Sequence, residues 1–242
     1  MGDGVYRSLR TVLSPVADRY FGLQATGEDR LPSGPCILAA NHSSLLDWVF
    51  LARFVNRPVR FVLSREFFDQ RPFTWAYESL GVIPIRDGRF QPSAYRQLLA
   101  TLANGDIVGV FPEGWITRDG TLRPAQRGII AFAARAGVPI VPVGLAGAFA
   151  AFPRDASFPR RHPVRVRFGD PFVVARGVRT DRDAQRRLAD DLMARIGALC
   201  ASADERNLGV GQRVFDANPV HGVEVVGQRG GSEPRHARSL VR

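Results

Sequence analysis

Short apolar runs alternate with amphipathic stretches along the first two hundred residues. Runs at 35–40, 59–63 (Val-Arg-Phe-Val-Leu), 81–85, 106–111, 139–144 and 163–168 have the length and composition of strands. Between them, 45–56, 65–79, 92–104 and 125–137 carry apolar residues at helical spacing. A last helix is predicted over 181–200, amphipathic through Leu188, Leu192, Ile196 and Leu199. Ahead of the first strand, Val5, Leu9, Val12, Leu13, Val16 and Tyr20 predict an amphipathic helix over 5–20, suited either to a membrane interface or to packing on the core. This alternation predicts an α/β fold: a single domain with a central mixed sheet flanked by helices, preceded by the N-terminal amphipathic helix. In such sheets, ligand chemistry collects in the loops beyond the strand ends. The expected organisation is a helix and lead-in over 1–30, one domain over 31–200, and a disordered tail over 201–242, where Gly, Arg, Ser and Asp replace apolar periodicity.

Composition narrows the class of partner. The chain has 242 residues, and 45% hydrophobic content supports one sizeable core. Its net charge of +10 is carried by arginine alone, because the sequence contains no lysine. A basic surface favours phosphate-bearing substrates, anionic lipid headgroups or nucleic acid, and charge does not choose among them. Two cysteines, Cys36 and Cys200, make neither a disulfide framework nor a metal site. Arg7, Arg10, Asp18 and Arg19 interrupt any signal-peptide core, and the apolar stretch 129–152 contains Arg135, Pro139 and Pro142. The expectation is a cytoplasmic protein that meets the inner face of the cell membrane peripherally.

The first strand runs into Asn41-His42-Ser43-Ser44-Leu45-Leu46-Asp47-Trp48. His42 then falls where the strand ends and Asp47 in the first turn of the next helix, with Ser43 or Ser44 available as N-cap. Across such a turn the carboxylate can fold back onto the imidazole. An acceptor on one ring nitrogen fixes the tautomer and leaves the other nitrogen to take a proton, as a general base requires. A solvent-facing histidine beside a capping aspartate is the alternative for an isolated pair. No G-x-S-x-G elbow accompanies the serines, which leaves them no nucleophilic context.

Three further motifs follow at strand-to-loop junctions: Gly81-Val82-Ile83-Pro84-Ile85-Arg86, then Phe111-Pro112-Glu113-Gly114, then Val138-Pro139-Ile140-Val141-Pro142-Val143. With the His42–Asp47 block in front, this ordered set resembles the glycerophospholipid acyltransferase family, whose signature is NHxxxxD, GxIxIxR, FPEG and a VPIxP-like block in that order. The resemblance covers about residues 35–170. It implies transfer of a fatty acyl group from an acyl thioester, either acyl-CoA or acyl-carrier protein, to a hydroxyl of a lysophospholipid such as 1-acylglycerol 3-phosphate. His42 and Asp47 would be the catalytic dyad. Glu113 and Gly114 would bind the acceptor, and the second block should supply an arginine fork for its phosphate. No cofactor is implied beyond the thioester co-substrate.

The chain departs from the family pattern at two points. Arg86 stands one position early, Asp87 occupies the usual arginine position, and Arg89 lies two residues beyond it. Trp115-Ile116 replaces the usual Thr-Arg after Gly114, leaving Arg118 as the nearest substitute. Arg86, Arg89 and Arg118 are therefore the candidate phosphate ligands. Arg127, before Gly128, fits the family's basic-glycine step and is either a further cation for an anionic group or a solvated arginine at the helix start, the reading its position favours. The stretch 149–167 interleaves Phe149, Phe152 and Phe158 with Arg154, Arg160, Arg161, Arg165 and Arg167. That composition suits either an anionic membrane surface or a basic loop with its rings folded inward. An alternative to the enzyme is a lipid-binding or lipid-remodelling scaffold of the same fold that has lost acceptor recognition. Nucleic acid is not expected as a partner, since no recognition motif accompanies the charge.

Overall fold

The computed structural model describes residues 2–69, 74–86, 91–201 and 224–226. The five-residue strand β2 (Cys36–Ala40) is wholly buried. Its side chains alternate, so Cys36, Leu38 and Ala40 join one apolar cluster while Ile37 and Ala39 join another on the opposite face. A continuous apolar run is what a strand covered on both faces requires. β2 lies between two parallel partners, β5 (Ile107–Val110) and β6 (Ile140–Ala146). Beyond β5 come β3 (Val59–Ser64) and β4 (Ile83–Ile85), both parallel. Beyond β6, β7 (Arg165–Phe168) is antiparallel, and β1 (Gln24–Thr26) runs parallel to β7 at the edge. β8 (Phe172–Val174) pairs antiparallel with the start of β6, and β9 (Glu224–Val226) pairs parallel with β8. The sheet is mixed, as the sequence predicts.

Helices cover both faces. α2 (Asp47–Arg53) and the end of α1 (Gly2–Phe21) pack on one side, where Phe21 meets Phe50 edge-on at 5.1 Å between ring centres. Arg53 clasps Asp18 through Nε at 3.0 Å and Nη2 at 2.8 Å, which ties α1 to α2. The C-terminal part of α1 thus packs on the core, the second of the two roles its amphipathic pattern allows. The other face carries α5 (Pro92–Ala103), α6 (Gly128–Ala136) and α8 (Arg182–Ala201). α8 approaches β6 so closely that a Cβ on Gly144 would lie 2.7 Å from that of Leu199. No helix among the described residues is long and apolar enough to cross a membrane.

The predicted elements recur within a few residues, with informative differences. The helix predicted over 65–79 appears as two described segments, α3 (Arg65–Phe68) and α4 (Thr74–Ser79). α2 starts at Asp47, two residues later than the apolar pattern begins. β1, β8, β9 and the short α7 (Ala148–Ala151) are additional. Each is three or four residues long, too short to show a period. β9 falls within the stretch predicted to be a disordered tail.

β2 and β5 are adjacent and parallel, yet the chain leaves them in opposite directions. After β2 it enters α2 on one face; after β5 it enters α6 on the other. A crevice forms beyond the carboxyl ends of two strands whose connections diverge in this way. His42 follows β2 into that crevice, and Phe111-Pro112-Glu113-Gly114 follows β5.

Candidate active site

His42 and Asp47 meet at the carboxyl end of β2. Asp47 Oδ2 lies 2.9 Å from His42 Nδ1 and also accepts the backbone N–H groups of Ser43 at 2.7 Å and Ser44 at 2.8 Å. The carboxylate is fully buried, and its other oxygen has no hydrogen-bond partner among the described residues. The chain between histidine and aspartate therefore wraps around the aspartate. This replaces the expected serine cap: Leu46 precedes α2 without a side-chain cap, and the Ser44 hydroxyl accepts only the Leu46 N–H at 3.1 Å. Asp47 serves the turn and the imidazole with one oxygen. That acceptor keeps the proton on Nδ1 and leaves Nε2 as the basic nitrogen.

The imidazole is held on its flat face as well. The Phe111 ring stacks on it with centres 3.9 Å apart and planes 12° from parallel. Its backbone is fixed from both sides: Glu113 Oε1 accepts the His42 N–H at 2.8 Å, and the His42 carbonyl accepts the Thr117 N–H at 2.9 Å. Glu113 Oε2 accepts the Arg123 N–H at 3.0 Å, so one carboxylate braces its own β5–α6 loop and ties it to the β2–α2 loop. Glu113 is buried, and burial pushes its carboxyl above the ordinary carboxylate value against the pull of these N–H donors. Gly114 turns the chain at φ 80°, where a Cβ would lie 2.1 Å from Gln126 Nε2. Asn41 pairs with the Leu145 backbone at 2.7 and 3.0 Å, fastening the β2 loop to β6.

His42 lines a cavity of about 620 Å3. Its wall is mainly apolar and aromatic, including Trp48, Phe61, Tyr77, Leu80, Ile85 and Trp115. Such a wall suits a fatty chain, and the volume is that of a small-molecule site. Arg127 and Arg154 also line it, and neither has an acidic partner among the described residues.

The predicted site residues separate into three groups. His42, Asp47, Glu113 and Gly114 come together at the crevice. Glu113 faces backbone N–H groups rather than the cavity, whereas Gly114 is part of the wall. Arg86 and Arg118 are exposed and absent from the wall; Arg86 is bracketed through its backbone by the Gln91 amide at 2.8 and 2.9 Å. Arg89 and Asp87 lie outside the described residues. Sequence reasoning missed the Phe111 stack and treated Arg154 only as a surface cation. Both depend on which loops become neighbours, which no local pattern reveals. Cys36 is buried and Cys200 partly so, and this raises their thiols to about 11 and about 12, outside the range of a nucleophile at neutral pH.

The chain is 28% identical over 178 residues to a chloroplastic 1-acyl-sn-glycerol-3-phosphate acyltransferase (BAT2) of Brassica napus, covering 72% of this chain and 52% of that protein. It is 33% identical over 125 residues to the 1-acyl-sn-glycerol-3-phosphate acyltransferase of Pseudomonas aeruginosa, covering 50% and 48%. The chain thus spans about half the length of the curated relatives it matches. The crystal structure of the 1-acyl-sn-glycerophosphate acyltransferase PlsC from Thermotoga maritima shares the fold, with a TM-score of 0.65 at 20% identity, covering 86% of this chain and 83% of that one. A family model described as Acyltransferase matches residues 22–146, more than half the chain and all four motif blocks. The chain belongs to the acyltransferase family.

Proposed function

We propose that this protein moves a fatty acyl group from an acyl thioester, carried on CoA or on a carrier protein, to the free hydroxyl of a 1-acylglycerol 3-phosphate. The observation that carries this reading is the 2.9 Å contact of a buried Asp47 with a histidine on the wall of an apolar cavity. His42 Nε2 removes the hydroxyl proton as the oxygen attacks the thioester carbonyl. The tetrahedral intermediate collapses with cleavage of the C–S bond, and the departing thiolate takes the proton back from the imidazolium. Asp47 stabilises that imidazolium through Nδ1–H. No acyl-enzyme intermediate is needed.

The acyl chain lies along the aromatic wall, and the acceptor's phosphate meets Arg127 and Arg154. Both residues line the same cavity as His42, whereas Arg86 and Arg118 do not. Because the acceptor is a membrane lipid, the protein works peripherally at an anionic bilayer on the cytoplasmic side. The test is direct. Purified full chain is mixed with acyl-CoA or acyl-carrier protein and 1-acylglycerol 3-phosphate, and free thiol and diacyl product are followed. Thiol release coupled to product, reduced by ~10²-fold or more in His42→Ala, is expected. Absence of product with either donor, or an undiminished rate in His42→Ala, would refute it and favour a non-catalytic lipid-binding scaffold.

A further inference from the structure

The segment between α7 and β7 is closed at its base and pinned on two sides. The Ala151 carbonyl accepts the Arg160 N–H at 2.7 Å, and an inner turn joins Pro153 O to Ala156 N at 3.1 Å. The Phe152 carbonyl accepts the Leu45 N–H at 3.3 Å, which attaches the loop to the His42 segment. On the other side the Tyr20 hydroxyl donates to Pro159 O at 2.9 Å, and the Arg161 guanidinium sits 5.9 Å from the Tyr20 ring centre. Prolines at 153 and 159 stiffen the backbone further.

A loop so anchored holds its side chains in set directions, and the three phenylalanines of this stretch diverge. Phe149 packs beside Gly120 and Phe152 is half-buried, while Phe158 is 80% exposed. Among the described residues it is the most exposed large apolar side chain. Arg160 and Arg161 follow it immediately, both exposed, and Asp155 is the single acid between Pro153 and Pro163. Tyr20 is 37% exposed and Val16, one helical turn before it, 66%, which extends the apolar side of the patch along α1. Arg154, at the start of the loop, lines the catalytic cavity.

We propose that this loop is a bilayer-docking surface: Phe158 enters the interface of an anionic phospholipid membrane, Arg160 and Arg161 meet its headgroup phosphates, and Arg154 brings the cavity edge to the lipid. The proposal rests on the functional reading only in choosing a membrane as the partner. Charge complementarity selects an anionic surface. The shape selects a bilayer over a protein, because one projecting ring flanked by cations penetrates a fluid interface but makes a poor core for a protein contact of about 800 Å2 per side. The loop then serves two ends of one task, anchoring by its tip while its first arginine borders the site where a lipid headgroup must arrive.

Vesicle sedimentation with the full chain, without acyl donor, tests this separately from catalysis. Phosphatidylcholine vesicles are compared with vesicles of phosphatidylcholine and phosphatidylglycerol in equal parts. Tighter binding to the mixed vesicles is expected. Phe158→Ala should weaken it by about tenfold, and Phe158→Trp should restore it. The double variant Arg160→Gln, Arg161→Gln should remove most of the preference for anionic vesicles and most of the salt dependence. Unfolding midpoints equal to that of the parent chain confirm that the variants fold. Binding unchanged in all variants, no binding to either vesicle, or preferential retention on an oligonucleotide or an acidic protein would each overturn the proposal. A chain that docks through Phe158 yet transfers no acyl group would leave this inference standing and remove only the catalytic reading.

Discussion

Glu113 Oε1 accepts the backbone N–H of His42 at 2.8 Å, so the acid of the third motif holds the histidine of the first by its main chain. Its second oxygen takes the Arg123 N–H at 3.0 Å. Glu113 is thereby a positioning residue, and its substitution should affect turnover more than substrate affinity. Glu113→Gln keeps the shape but offers one acceptor oxygen for two partly buried donors. A loss of about 1–3 kcal/mol in unfolding free energy is expected, with kcat reduced and KM for the acceptor within about twofold. A large rise in KM with kcat preserved would instead make Glu113 a substrate ligand.

The same carboxylate predicts a pH dependence of stability. Burial raises its folded-state value above the ordinary 4.5. The folded chain thus binds this proton more tightly than the unfolded chain. Its contribution is present in full below about 4.5 and is lost as pH rises through the raised folded value. Urea unfolding across that window should show the parent protein falling in stability relative to Glu113→Gln, which lacks the proton. Parallel profiles for the two proteins would contradict the assignment.

Asp47 carries three N–H groups on a single oxygen, two from the turn and one from the imidazole. Two substitutions separate these duties. Asp47→Asn retains an oxygen for the Ser43 and Ser44 N–H groups but no charge to stabilise an imidazolium, so the fold should survive while kcat falls by about 10²-fold or more. Asp47→Ala leaves the turn donors buried and unpaired, at a cost of about 1–3 kcal/mol for each. Circular dichroism melts beside single-turnover rates would distinguish them. Equal activity in Asp47→Asn and the parent would remove aspartate from the dyad.

Particular residues show how far the sequence alone reaches. The continuous apolar run of β2, buried on both faces, and the spacing of His42 to Asp47 are local properties, and both are visible in the order of residues. The Phe111 stack on His42 and the bond from the His42 N–H to Glu113 depend on β2 and β5 becoming neighbours, which their separation of some seventy residues conceals. Ser43 and Ser44 have good capping character, yet the turn uses their backbone N–H groups because a buried carboxylate is a stronger acceptor than a hydroxyl. Short edge elements such as β1 carry no period to detect, since tertiary pairing rather than propensity forms them.

The two cysteines offer a negative test. Cys36 is enclosed in β2, and Cys200 lies against Asn41 with Sγ 3.5 Å from Oδ1. Burial raises both thiols, to about 11 and about 12. Alkylating reagents at neutral pH should therefore leave the folded protein unmodified and its thioester-dependent acyl transfer unchanged, with both sites reacting only after denaturation. Mass spectrometry after timed iodoacetamide exposure would check this. Rapid loss of activity with stoichiometric labelling of either cysteine would contradict it.

The displaced arginines yield the sharpest prediction about substrate choice. The family pattern directs attention to Arg86, Arg89 and Arg118, but Arg86 and Arg118 are exposed and do not form the wall of the cavity that contains His42. Arg127 and Arg154 line it, on loops that reach the crevice from the start of α6 and from beyond α7. A charge-assisted contact to phosphate is strong only where the guanidinium and the bound lipid share the site. Arg127→Gln and Arg154→Gln should each raise KM for 1-acylglycerol 3-phosphate by about tenfold, at ~1.4 kcal/mol per contact, and should leave KM for the acyl donor nearly unchanged. Arg86→Gln and Arg118→Gln should alter neither constant appreciably. An acceptor without a phosphate should be insensitive to all four substitutions, because its recognition never involved them. Steady-state kinetics with both acceptors would decide the matter: a rise in acceptor KM confined to Arg86→Gln or Arg118→Gln would return the phosphate to the positions the motif implies.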